Sequence, residues 1–298
     1  MNYLSHLSMY STKLDKNSRS RQSINIIIIK LLYNLLLIGS IWLCITHAAL
    51  AAEEKLWEKD PSVIIGRKFD IKYDSSNKIT GFVARDYLRR LDKATKDVER
   101  ILKYEPQERI TLLLVPKSKF VHVLKSPVWS AGTYRNYEIT LPFEDGSRAK
   151  IEDTEKLDRI LRHEYAHALI MEQSINKCPL WLNEGLAQMV EGNAPFGLAL
   201  YFKNWLKTNK PLSIRELSLT PMNLGDQAAT IFYAQSLFMT KYLVKKYGML
   251  KIRFFLQNLN NSASPEEIFR STFYIKPEKF DTDIARALAN WMVSEEDL

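Results

Sequence analysis

Between residues 69 and 74 the apolar side chains Phe69, Ile71 and Tyr73 alternate with polar neighbours, the period-two signature of a half-buried strand. Asp74, Ser75, Ser76 and Asn77 then turn the chain. From 85 to 104 the period lengthens: Tyr87, Leu88, Leu91, Ala94, Val98, Ile101 and Leu102 recur at helical spacing, with Pro106 shortly beyond. A β-branched and leucine run over 110–115, closed by Pro116, predicts a buried strand, and 132–141, with Tyr134, Tyr137, Ile139 and Leu141, predicts another. After Thr154 helical periodicity takes over, across 157–171, 179–190, 198–206, 229–247, 250–259, 265–273 and 281–292. The pattern predicts an α+β fold, with a small sheet-bearing lobe over 53–153 and a helical lobe over 154–298, and a cleft between them as the natural place for a site.

The first 52 residues follow a different logic. Lys13, Lys16, Arg19, Arg21 and Lys30 precede an apolar run over 31–45 that ends among Ala48, Ala49, Ala51 and Ala52, the order of a Sec-type signal peptide cut after Ala51. The run over 24–45 also spans a bilayer if Lys30 and Asn34 are tolerated, which would make it an uncleaved anchor. Either way the remaining domain, 53–298, is expected outside the cytoplasm, periplasmic or secreted. Cys178 is the only cysteine of that domain, so an oxidising compartment provides no internal disulfide. The formal charge of +8 includes five basic residues and one acid within the first 52. The excess that remains is small and interspersed. It permits weak attraction to an anionic envelope polymer or membrane surface and carries no nucleic-acid signature.

One segment carries chemistry outright. His163, Glu164, Tyr165, Ala166 and His167 form H-E-x-x-H inside the helix predicted over 157–171. Histidines four residues apart share one face of a helix, one turn apart, at a reach suited to a single tetrahedral Zn2+. Glu164 is rotated off that axis, where it can address a water rather than the metal. Three protein ligands are the usual complement of a catalytic zinc, so a third is needed. Downstream, Pro179 opens the helix that carries Trp181, Leu182, Asn183, Glu184, Gly185, Leu186 and Ala187. A glutamate in that apolar company is paired, bound to metal, or turned to solvent near a helix start. His122, among Phe120, Val121, Val123 and Leu124, reads as a packed histidine, and Cys178 as a small buried side chain.

The segments HEYAH and WLNEGLA, with sixteen residues between His167 and Glu184, resemble those of the gluzincin metallopeptidases, and within them the bacterial peptidase-MA-like domains. The resemblance implies a thermolysin-like catalytic domain with zinc held by His163, His167 and Glu184, and Glu164 as general base. It implies further that Tyr233 steadies the oxyanion, that Gln188 hydrogen-bonds a ligating histidine, and that the strand at 132–141 adds an extended substrate peptide to its edge. No G-A-M-E-N-like segment precedes the zinc helix, which argues against an aminopeptidase. The expected activity is zinc-dependent hydrolysis of peptide bonds in a peptide or protein. The alternative is an inactive, zinc-clamped module that binds peptides or cell-wall material.

Overall fold

A computed structural model of the chain describes Leu56 and residues 60–74, 81–124, 131–143, 154–192, 196–218 and 226–291. The N-terminal segment that carries the expectations of a signal peptide or anchor lies outside the described residues. No described helix is long and apolar enough to cross a membrane.

The elements run β1 (Ser62–Ile65), β2 (Phe69–Tyr73), α1 (Gly81–Leu102), β3 (Ile110–Pro116), α2 (Lys117–His122), β4 (Thr133–Arg135), β5 (Glu138–Phe143), α3 (Thr154–Gln173), α4 (Leu180–Glu191), α5 (Phe196–Trp205), α6 (Asp226–Asn258), α7 (Pro265–Phe273) and α8 (Pro277–Ala289). The fold is α+β, as the periodicity predicts, and Trp57–Leu298 forms one compact unit. The five strands make one sheet in the order β1-β2-β3-β5-β4. β2, β3 and β5 are parallel, and the edge strands β1 and β4 run antiparallel to their neighbours. A parallel pair cannot be closed by a tight turn, and α1 supplies the crossover between β2 and β3.

Phe69, Ile71 and Tyr73 on β2 register with Ile110, Leu112 and Leu114 on β3, all buried, so the alternation read from β2 forms one continuous apolar sheet face. Phe69 meets Tyr165 of α3 edge-on, with ring centroids 5.5 Å apart. The tyrosine inside the H-E-x-x-H segment is therefore part of the core that fixes this helix to the sheet. Its hydroxyl donates to Glu99 of α1 at 2.6 Å, and Glu99 in turn pairs with Lys68 at 2.7 Å. Arg90 of α1 adds a second tie, to Asp158 of α3 at 2.8 Å.

Several expectations need correction. The stretch 132–141 is not one strand but a hairpin, in which Arg135 pairs with Glu138 and Asn136 and Tyr137 turn the chain with φ of 49° and 63°. Both angles belong to the type I′ turn, which usually advertises itself with glycine; here no glycine marks it. β1 was not anticipated, because four residues are too few for a period to emerge. α2 was read as an apolar segment, and His122, expected to be packed, is exposed at its end. α8 begins at Pro277 rather than near 281, with proline in the first turn where its missing N–H costs nothing. The expected break between 247 and 250 is real: Gly248 interrupts α6 at φ 79°, ψ 155°.

Candidate metal centre

α3 is central, with Leu161, Glu164, Tyr165, Ala166, His167, Ala168, Leu169 and Ile170 all buried. α4 starts after Pro179, whose carbonyl accepts from the amides of Leu182 and Asn183, each at 3.0 Å. α4 packs between α3 and α6, and Gly185 sets its distance from α6. A Cβ on Gly185 would fall 2.0 Å from Thr240 Oγ1 and 2.4 Å from the Ser236 carbonyl oxygen. The glycine after Glu184 thus lets α4 lie against α6 at backbone contact, with Trp181, Leu182, Leu186 and Ala187 buried around it.

That packing brings the three anticipated ligands together. His163 Nε2 lies 3.1 Å from His167 Nε2, and Glu184 places one carboxylate oxygen 3.7 Å from the first and the other 3.6 Å from the second. An ion bound tetrahedrally at about 2.0–2.1 Å holds its ligands about 3.4 Å apart, so the spacing matches a zinc centre. Glu184 Oε2 is shielded from solvent and has no hydrogen-bond partner. A buried carboxylate oxygen without a hydrogen bond is costly, and a cation at the centre of the three side chains would offset the cost. The residues fit zinc. Among the described residues, this is the group of three whose ligand atoms converge in this way.

The outer nitrogens of both imidazoles are held. His163 Nδ1 lies 3.0 Å from a Glu191 carboxylate oxygen, and His167 Nδ1 donates to the Asn183 amide oxygen at 3.0 Å. These partners leave Nε2 of each ring as the metal-facing atom. Glu191 is fixed in turn by Arg162, whose guanidinium donates twice to its main-chain carbonyl, at 3.1 and 2.7 Å. Gln188, expected in the histidine-orienting role, does something else: its amide donates to the carbonyls of Glu184 and Tyr233, at 3.3 and 3.0 Å, and so ties α4 to α6. The sequence reading missed Asn183 and Glu191. Asn183 adjoins the metal carboxylate, which was the available signal. Glu191 lies two turns from Glu184, and no local pattern marks it.

Electrostatics separate the roles. Burial opposes the charge on His163, but the hydrogen bond to Glu191 and the charges of Glu164, Glu184 and Glu191 outweigh it and lift the metal-free imidazolium to about 9. His167 moves the other way, lowered chiefly by burial. Glu164 is raised to about 7, first by burial and then, against the pull of His163, by Glu184 and Glu191. It stands apart from the three converging ligands. Its carboxylate lies under Gly132, the residue before β4, where a Cβ would come within 2.9 Å of Glu164 Oε1. Gly132 was known from the sequence only as the start of a strand. Tyr233 is close enough that, after burial, the charges of Glu184 and Glu164 are what raise its phenol further. Cys178 is half-buried rather than buried, and burial raises its thiol well above the ordinary value.

Two imidazoles and a carboxylate at tetrahedral spacing, with a further buried glutamate beside them, make a candidate metal centre of the His-His-Glu class. Residues 150–290, which contain every residue of it, match the family model described as Peptidase MA superfamily. In structure the chain is similar to an M1 zinc metallopeptidase from Deinococcus radiodurans, at 14% identity over 81% of this chain and 52% of that one, with a TM-score of 0.42. A mutant of that enzyme matches at 13% identity over 78% and 53%, with a TM-score of 0.45. The same mutant bound to a Tyr-Ser-Ala substrate matches at 13% identity over 76% and 51%, with a TM-score of 0.41. The chain spans about half the length of these structures. Comparison with curated proteins finds no match.

Proposed function

We propose that this protein is a zinc metallopeptidase that hydrolyses peptide bonds outside the cytoplasm. The observation that carries the reading is the convergence of His163, His167 and Glu184 at tetrahedral spacing, with Glu184 Oε2 buried and without a hydrogen bond among them. Zinc at that point supplies Lewis acidity, polarising a carbonyl oxygen and acidifying a water.

The chain's own residues do the rest. Glu164, buried beside the three converging side chains, is placed to accept a proton from the attacking water and hand it to the departing amine. Tyr233, whose phenol is held protonated by burial and by the neighbouring carboxylates, donates a hydrogen bond to the negative charge that grows on the carbonyl oxygen. Glu191 and Asn183 keep the two imidazoles turned with Nε2 inward. β4 is the sheet edge beside α3, and an extended substrate adds to it.

Glu164→Gln keeps the shape of the side chain and removes its basicity. Turnover of a mixed peptide library should fall by about a hundredfold or more while zinc stays bound at unit stoichiometry. A variant that binds zinc and still cleaves at the original rate contradicts the assignment. Placement outside the cytoplasm rests on the N-terminal segment, and N-terminal sequencing of the chain from expressing cells checks it: a start just after Ala51, or an intact membrane-bound form, is expected, and an intact soluble cytoplasmic chain refutes it.

A further inference from the structure

One turn before His163, on the side of α3 that carries the metal ligands, stands Arg159. Its Nε is shielded from solvent and makes no hydrogen bond. Among the described residues no carboxylate pairs with it. Other part-buried arginines behave differently. Arg90 donates to Asp158, Arg162 to the Glu191 carbonyl and Arg253 to the Ile101 carbonyl. An Nε–H that is shielded from water and left without an acceptor costs about 1–3 kcal/mol, so its place one helical turn from His163 needs a reason. Arg162, its neighbour on the helix, is already engaged on the end of α4 and is not available for a ligand.

We propose that Arg159 sets the substrate class of this site by binding a carboxylate of the peptide. The inference rests on the peptidase reading. An arginine fork binds a carboxylate through two parallel hydrogen bonds, with more direction and strength than a neutral pair gives. One helical turn is roughly 5.4 Å and an extended peptide advances roughly 3.3 Å per residue, so the fork addresses a group one or two residues from the bond that is cut. The chemistry is the same whether that carboxylate is the C-terminal group of a short peptide or the side chain of an aspartate or glutamate. In both cases the preferred substrates are anionic close to the scissile bond.

The test uses the full-length, zinc-loaded protein and three peptides that share one cleavage site: a free C-terminus, the same peptide amidated, and the amidated peptide with a glutamate introduced one or two residues from the cut. The wild type should prefer a carboxylate-bearing peptide over the neutral one by about tenfold to a hundredfold in kcat/KM, mostly through KM. Which anionic peptide shows the preference identifies the source of the carboxylate. Arg159→Gln should bring that ratio near one, and Arg159→Lys should restore part of it. No preference in the wild type, or an equal loss on all three peptides in Arg159→Gln, overturns the proposal.

If none of the peptides is cleaved, the peptidase reading is what has failed, and calorimetric titration of the same peptides still decides about Arg159. A carboxylate preference in binding that disappears in Arg159→Gln upholds it. Equal binding of all three by the wild type overturns it.

Discussion

His163 is where charge, metal and pH meet. In the metal-free protein its imidazolium is lifted to about 9, because the hydrogen bond to Glu191 and three surrounding carboxylates outweigh the cost of burial. Zinc binds the neutral ring, so protons and zinc compete for it. At pH 7, below the raised value, the metal-free ring is charged and zinc must displace its proton. Apparent zinc affinity should therefore rise about tenfold per pH unit from 7 toward 9 and level off above. Calorimetric titration in buffers of different ionisation heat should find about one proton released from this ring at pH 7. Zinc uptake with no proton release and no pH dependence would show that the metal-free ring is not held as an imidazolium. Gly132 gives an independent probe of Glu164. Gly132→Ala puts a methyl 2.7 Å from Leu141 Cδ2 and 2.9 Å from Glu164 Oε1, and the displaced base should lower kcat by tenfold or more with little change in zinc content. Parallel metal analysis and kinetics check this, and an undiminished kcat would mean that the methyl is accommodated by Leu141 or that the base tolerates being moved.

The metal centre depends on where α4 lies, and α4 lies where Gly185 allows. Gly185→Ala would drive a methyl into Thr240 Oγ1 and the Ser236 carbonyl, at 2.0 and 2.4 Å. α4 and α6 must then separate. The expected cost is about 1–3 kcal/mol of stability, together with weaker zinc binding as Glu184 is carried away from the histidines. Denaturant unfolding and zinc titration of the variant measure both, and a variant as stable and as tight as the wild type would mean that the helices do not touch there.

At this scale much was legible beforehand. Apolar periodicity placed α1, β2, β3, α3, α4, α6 and α7 to within a few residues, because each is long or buried enough for its period to show. The ligand triad was legible because an i, i+4 pair is a local geometry and the third ligand lies on the next helix. What escaped depends on tertiary contact or on backbone angles: the glycine-free turn at Asn136 and Tyr137, the short β1, the Gly132 approach to Glu164, and the Glu191 bond to His163 across two helices. Gln188 was assigned to an imidazole on resemblance, whereas packing turns its amide toward the carbonyls of Glu184 and Tyr233.

Across the whole molecule, the sheet and α1 hold α3 in place from one side through Phe69, Tyr165, Glu99 and Lys68, while α6 holds α4 from the other. The two helices meet at the metal centre, where a cation is the cross-link their buried carboxylate and imidazoles lack. With a single free cysteine among the described residues, that link has no disulfide to share its load. The same frame sets Glu164 and Tyr233 within reach of the Glu184 charge and β4 against α3. The central claim is the position of the ion, and anomalous diffraction at the zinc edge from crystals of the full-length protein tests it most directly. One zinc per chain is expected, about 2.0–2.2 Å from Nε2 of His163, Nε2 of His167 and a Glu184 oxygen. A map with no peak among these three side chains, or with zinc bound by other residues, would contradict the account.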